Sequence, residues 1–335
     1  MTKYRVGVIG CKGIGIRHAS GLVGLASAEL VAACDMEQST LDSFKEHWKS
    51  EWPNIGLYTD HQDMLANENL DIVTVATSDH RHADLVVNAA NAGAKGVFCE
   101  KPMATSLADA DRMIEAVERN NTILSIDHTR RWQPLWRYTK EEVVGGGQIG
   151  AVQYIIGTLS GARAMLFRNG THLIDAICYF AESDPAWVSA ELEAGYEDYW
   201  EYRGDGGHDP KTEPSVSGYI HFANGVRAFY AGGSKTTPAP KFRLEIVGTT
   251  GYILINNEEA IIHRDNASDR IIPPEWSVEG IPAGVQELVR LVDEGGTPVS
   301  SAKDGHKVVE IIIGFLESQR RGNAKVTIPI PRDRY

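Results

Sequence analysis

Val6-Gly7-Val8-Ile9-Gly10-Cys11-Lys12-Gly13-Ile14-Gly15 is an apolar strand that breaks into glycines and then runs into a helix. In a dinucleotide fold such glycines let the backbone turn tightly, approach a pyrophosphate and present helix N-terminal amides to it. Asp35 ends the next strand about 20 residues after Gly15, where an acid that binds the adenosine ribose stands. Lys12 takes the place of the usual second glycine, and Gly13 supplies the flexibility. Lys12 either points to solvent or neutralises a phosphate. Asp35 repels a 2′-phosphate and accepts from two free hydroxyls, which favours NAD; Lys12 leaves NADP open.

Outward from this turn the pattern repeats. Arg5 to Ile9, Leu30 to Cys34, Ile72 to Ala76, Gly96 to Cys99 and Ile123 to Ile126 are short, continuously apolar runs, and helical stretches such as Ala83 to Ala92 and Ala108 to Asn120 lie between them. Such strands are buried on both faces, the signature of a doubly wound parallel sheet. The expected fold class is α/β: a Rossmann domain over residues 1–128, then an α+β domain over 129–335 with a large, open, mainly antiparallel sheet.

In the second half Pro134 to Gly147 reads as a helix stopped by three glycines, and Thr171 to Ala181 as a helix capped by Thr171. Strand patterns cover Ala151 to Ser160 and Ala186 to Ala194. Further runs, Tyr219 to Phe222, Val226 to Tyr230, Phe242 to Val247, Tyr252 to Ile255 and Ala260 to His263, form a meander with Asn224-Gly225 as a hairpin turn. Tyr196 to Pro214 is polar and glycine-rich, a long loop or lid. Helices at Val285 to Asp293 and Gly305 to Gln319 and a strand at Lys325 to Ile328 follow.

With 335 residues the chain is long enough for about two domains. Acids outnumber bases 45 to 33, which argues against nucleic acid, because phosphate neutralisation needs clustered Lys and Arg. The N-terminus lacks signal-peptide grammar, and the longest apolar run carries Glu310, so no membrane span is expected. Cys11, Cys34, Cys99 and Cys178 are far apart and read as unpaired thiols of a reducing, cytoplasmic protein. No metal-ligand spacing is present, and no metal is expected.

The glycine turn, Thr77-Ser78-Asp79-His80-Arg81-His82, Glu100-Lys101-Pro102 and Gly170-Thr171-His172-Leu173-Ile174-Asp175 occur in this order. Together they resemble the glucose-fructose oxidoreductase, inositol dehydrogenase and rhizopine-catabolism (Gfo/Idh/MocA) family over nearly the whole chain. The resemblance implies an NAD-dependent oxidoreductase acting on a secondary hydroxyl of a sugar, sugar derivative or cyclitol. It implies that Lys101 lies near the nicotinamide ribose and the substrate hydroxyl, often with a cis bond to proline. An ammonium at the carboxyl end of a strand stabilises negative charge on an alcohol oxygen about to become a carbonyl.

His172 is the candidate to exchange the hydroxyl proton, with Asp175 on the same helical face. Gly10, Lys12, Gly13, Ile14, Gly15, Asp35, Ala76, Thr77, His82, Glu100 and Lys101 are the expected cofactor residues. Lys101, His128, Arg131, Trp132, Arg163, Arg168, His172 and Asp175 are the expected substrate residues. Arg168 stands where inositol dehydrogenases carry an aspartate; it either clamps an anionic or hydroxyl-rich substrate or pairs with surface acids. Two other readings keep the fold: redox-neutral glycoside cleavage by cycled NAD, and a non-catalytic, sugar-responsive regulator. In this family neighbouring subunits cover the open sheet, so a homo-oligomer, dimer or tetramer, is expected.

Overall fold

The computed structural model describes residues 3–207, 209–233, 235, 241–265 and 267–332. The first elements are β1 (Tyr4–Ile9), α1 (Gly13–Ser20), β2 (Ala28–Cys34), α2 (Gln38–Trp48), β3 (Gly56–Tyr58) and α3 (His61–Glu68). β4 (Ile72–Val75), α4 (His82–Asn91), β5 (Gly96–Cys99), α5 (Leu107–Asn120) and β6 (Ile123–Ile126) follow. Then come α6 (Pro134–Tyr138), β7 (Val152–Leu159), α7 (Thr171–Ala181), β8 (Pro185–Leu192), β9 (Val216–Phe222) and β10 (Arg227–Gly232). The last are β11 (Phe242–Gly248), β12 (Tyr252–Asn256), β13 (Ala260–Arg264), β14 (Ala267–Arg270), α8 (Ile281–Glu294), α9 (Ala302–Arg320) and β15 (Val326–Thr327).

Two compact units result. The first gathers the chain up to Ala104, Asp109–Trp132 and Ser277–Lys303. Its six strands are parallel, in the order β3-β2-β1-β4-β5-β6, as the apolar runs predict for a doubly wound sheet. β3 has no sequence signal because three residues show no period. Helix α8, expected in the second domain, packs with this unit instead. The reason lies in its neighbours: Val285 and Leu288 sit against Gly21 and Gly96, and Gly284 lies under the Phe98 ring. A methyl at Gly284 would come within 2.8 Å of Phe98, so the missing side chains let the helix seat closely.

The second unit holds Thr105–Ala108, Gln133–Trp276 and the chain from Asp304 onward. Its sheet has nine strands in the order β14-β13-β12-β11-β7-β10-β9-β8-β15. It is antiparallel, as expected, except where β7 and β10 run parallel at its centre. α7 covers β7, with Leu173 and Ile177 against Gly157, and α9 lays Phe315 on Gly218. The opposite side carries Trp187, Tyr219 and His221, stacked at 4.8 and 5.3 Å from the Trp187 ring, with Phe229 41% exposed beside them.

Two helix readings change. The Pro134 to Gly147 helix is α6 followed by a π-helical turn, Thr139–Val144, and ends at Gly147 with φ +75°. Thr171 is not a side-chain cap: α7 grows directly out of another π-helical turn, Leu166–Gly170, and the Thr171 hydroxyl is buried without a hydrogen-bond partner. Between β8 and β9 the described residues form no strand or helix, as the polar composition predicts; His208 lies outside them. No helix among the described residues is long and apolar enough to cross a membrane.

Candidate cofactor and catalytic site

The glycine turn is built by exclusion. Gly10 has φ +88°, and a methyl there would lie 2.3 Å from the Ala76 carbonyl oxygen and close to the Thr77 methyl, so strand β4 forms its wall. A methyl at Gly15 would lie 1.8 Å from the Gly10 carbonyl oxygen. Gly13 differs: nothing stands within 4 Å of the position its side chain would take. Behind it, α1 begins at Gly13 with no side-chain cap and no acid in its first turn, leaving amides and dipole open to an anion. Ile14 is partly exposed on this turn.

Asp35 follows β2 and holds the turn in place. Its carboxylate accepts from the backbone N–H of Cys11 (3.0 Å) and of Glu37 (3.1 Å). The Lys12 ammonium pairs with Glu37 at 2.8 Å, both side chains well exposed. That pair raises the lysine pKa and lowers that of Glu37. Glu37 escaped the sequence reading, although an acid two residues after Asp35 was a visible signal. All four cysteines are buried thiols outside any disulfide; burial pushes the Cys34 thiol up to about 12.

At the carboxyl end of β5 the chain reads Glu100-Lys101-Pro102, with a cis bond between Lys101 and Pro102. His82, expected to border the cofactor, is fully buried and braces this corner. Its Nδ1 lies 2.8 Å from the Pro102 carbonyl oxygen and its Nε2 3.2 Å from that of Thr77. Burial, outweighing those carbonyls and the Glu100 charge, lowers its pKa.

Lys101 itself is half-buried. Next to it in the chain, Glu100 converges with His18 and Asp127, one N or O atom of each lying within 4.8 Å of the others. His18 Nε2 is 3.7 Å from Glu100 Oε1, an electrostatic contact longer than a hydrogen bond. Burial pushes the Asp127 carboxyl well above its ordinary range, and the Glu100 charge pushes it further. Burial also works against the Glu100 carboxylate, but His18, the Lys101 ammonium and Asp127 together hold its pKa below the ordinary range. Neither His18 nor Asp127 was singled out from sequence; the position of Asp127 directly after a parallel strand was the available clue.

Three expected substrate residues belong to the core of the first unit. His128 is buried and its Nδ1 meets Ser300 Oγ at 3.1 Å. Arg131, 4% exposed, donates to the Val299 carbonyl oxygen. Trp132, 1% exposed, packs on Phe98 and donates from Nε1 to Glu287 at 3.1 Å. These side chains fasten Ser277–Lys303 onto the sheet, so packing has claimed the tryptophan face expected for a sugar ring.

In the second unit His172 is half-buried on the first turn of α7, and Asp175 is buried one turn on. The Arg168 guanidinium donates to the Gly206 carbonyl oxygen at 2.7 Å. Arg163 donates to the Asn169 side chain at 2.9 Å. Glu213, 2% exposed, accepts from the amides of Phe167 (2.6 Å) and Arg168 (3.0 Å) and so fixes the π-helical turn before His172.

Residues 4–128 match the oxidoreductase family with the NAD-binding Rossmann fold, and residues 157–254 match the GFO/IDH/MocA C-terminal domain. The chain belongs to the GFO/IDH/MocA oxidoreductase family. Its first unit is thus that family's NAD-binding Rossmann fold. It is 37% identical over 142 residues to the myo-inositol 2-dehydrogenase of Thermotoga maritima, a match spanning 42% of this chain and 41% of that enzyme. The chain thus matches less than half of that relative's length. It is 27% identical to the D-apiose dehydrogenase of Paraburkholderia graminis over 96% of this chain and 89% of that one. The crystal structure of myo-inositol 2-dehydrogenase from Lactobacillus plantarum superimposes with a TM-score of 0.74 at 25% identity, over 98% of this chain and 100% of that one.

The raised Asp127 pKa has a consequence for stability. Between the ordinary carboxyl range and its raised value, the folded chain keeps a proton that the unfolded chain has released, so stability falls as pH rises through that window. Asp127→Asn removes this dependence. Chemical denaturation from pH 5 to 8 is expected to show the variant gaining on the parent with rising pH, by up to ~1.4 kcal/mol per pH unit; parallel pH profiles would contradict the assignment.

Proposed function

We propose that this chain is an NAD-dependent dehydrogenase acting on a secondary hydroxyl of a sugar, sugar derivative or cyclitol. The observation that carries this reading is the Lys101 ammonium at the carboxyl end of β5, where open α/β sheets bind their ligands, above a buried carboxylate. The residues present fit the cofactor: open space at Gly13, the uncapped start of α1 and the acids Asp35 and Glu37 suit a pyrophosphate and an unphosphorylated ribose. NAD is therefore preferred to NADP. When bound, it accepts or returns a hydride at the nicotinamide ring.

The chain's own residues handle the oxygen. Lys101 holds negative charge on the substrate oxygen, His172 takes or returns its proton, and Asp175 orients the imidazole. Inositol and apiose dehydrogenases among the relatives support polyhydroxylated substrates. A panel of inositols, aldoses, glycosides and uronic acids with NAD identifies the substrate. On it, Lys101→Met and His172→Ala are each expected to lower kcat/KM by about 10²-fold or more; near-parental turnover in both would remove the mechanism.

Gly13→Ala and Gly15→Ala separate binding from folding. The first is expected to leave the thermal midpoint of the apo chain unchanged while weakening NAD binding, and the second to destabilise the chain itself. Equal NAD affinity in Gly13→Ala, read by fluorescence titration, would place the pyrophosphate elsewhere. For the aromatic side of the second sheet we propose a second copy of this chain as the cover, giving a homo-oligomer. Sedimentation is expected to show a dimer or tetramer, and a monomer at micromolar concentration would exclude it.

A further inference from the structure

Glu100, Asp127 and His18 present a problem that the glycine turn and Lys101 do not explain. Glu100 is 9% exposed, Asp127 1% and His18 0%. Asp127 Oδ1 is satisfied by the Thr129 hydroxyl at 2.9 Å. Its Oδ2 is buried and meets no donor, and the carboxyls of Asp127 and Glu100 come within 4.8 Å of each other. His18 adds no hydrogen bond, since neither ring nitrogen has a partner and the ring sits edge-on to Phe98 at 5.0 Å. Two carboxylates this close in a low-dielectric interior disfavour each other's ionisation, and a proton on one lets the pair share a hydrogen bond.

We propose that Glu100 and Asp127 hold one proton between them and act, with His18 as their wall, as a positioning unit that presents a single fixed negative charge to the Lys101 ammonium. The proton resides on Asp127 Oδ2, the oxygen without a donor, and Glu100 accepts it. Glu100 keeps the charge because the His18 ring and the Lys101 ammonium both favour its ionised form. The other groups facing the pair leave this assignment standing: Thr129 donates, burial disfavours the charged form of the His82 ring, and burial raises the Cys99 thiol well above its ordinary range.

The charge count matters for the chemistry assigned to Lys101, on which this inference builds. No counter-charge would let the ammonium deprotonate early; two would hold it too tightly to yield its charge to a developing oxyanion. Each single substitution conserves one charge: Asp127→Asn leaves it on Glu100, and Glu100→Gln lets Asp127 ionise. Only the double variant removes it.

Infrared difference spectra of the full chain, with and without NAD, read the proton directly. At neutral pH the parent is expected to show the C=O stretch of a buried protonated carboxyl, lost in Asp127→Asn. The Lys101 Nζ titration, followed by ¹⁵N NMR, is expected to fall by about 1 to 3 pH units in Glu100→Gln/Asp127→Asn and by less in either single variant. The alkaline limb of kcat/KM should move with it. If the band and the Lys101 shift are found and the kinetic limb stays put, the charge unit stands and the catalytic role of Lys101 falls. Absence of the band in the parent overturns the proposal. So does a stoichiometric divalent ion, released by chelation, that uses the three side chains as ligands.

Discussion

Charge that leaves water must be matched where it arrives, and in the first unit this constraint falls at the carboxyl end of β5. Glu100 lies at the end of a strand whose other residues are buried on both faces, so the backbone delivers a carboxylate into the interior whether or not it is solvated. His18 on α1, Asp127 after β6 and Lys101 next in the chain come from three separate elements. Each can reach Glu100 only when β1, β4, β5 and β6 lie in register and α1 leaves the glycine turn at the right angle. The electrostatics of one side chain thereby depends on the whole sheet.

The same dependence runs through the glycine turn. Asp35 spends both oxygens on backbone amides, one in the turn and one at Glu37, so the acid expected to meet a ribose also sets the shape of the loop beside it. His82 does for Pro102 and Thr77 what Asp35 does for Cys11 and Glu37. In both places a polar side chain holds two loops that the sheet alone would leave independent, and removing it costs the desolvation of groups left unpaired.

Much of this was legible in the sequence because the relevant signals are local. Continuous apolar runs mark five of the strands of the parallel sheet, and Gly10 and Gly15 mark positions where a side chain would strike backbone. The buried partners were not legible, because His18, Glu100 and Asp127 are separated by 82 and 27 positions and no periodicity joins them. The packing of Arg131 and Trp132 was not legible for a related reason: an arginine and an indole suit a sugar pocket and a core equally well, and Ser277–Lys303, which they contact, lies more than a hundred residues away. Nothing in the pattern of α8 told that it packs on the first unit, since an amphipathic face names no partner.

In the second unit the division between scaffold and variable surface is drawn by one buried acid. Glu213 closes the amides of Phe167 and Arg168, its carbonyl accepts from the Lys235 ammonium at 2.6 Å, and Lys235 also pairs with Glu193 at 2.9 Å. These contacts tie the two ends of the stretch between β8 and β9 to the turn that launches the His172 helix. Arg168 adds a bond to Gly206 within that stretch. With its ends fastened by groups outside its own middle, the stretch can change composition without disturbing α7. Arg168 takes part in the same fastening, since its guanidinium reaches across to a backbone carbonyl of the loop while its own amide is held by Glu213.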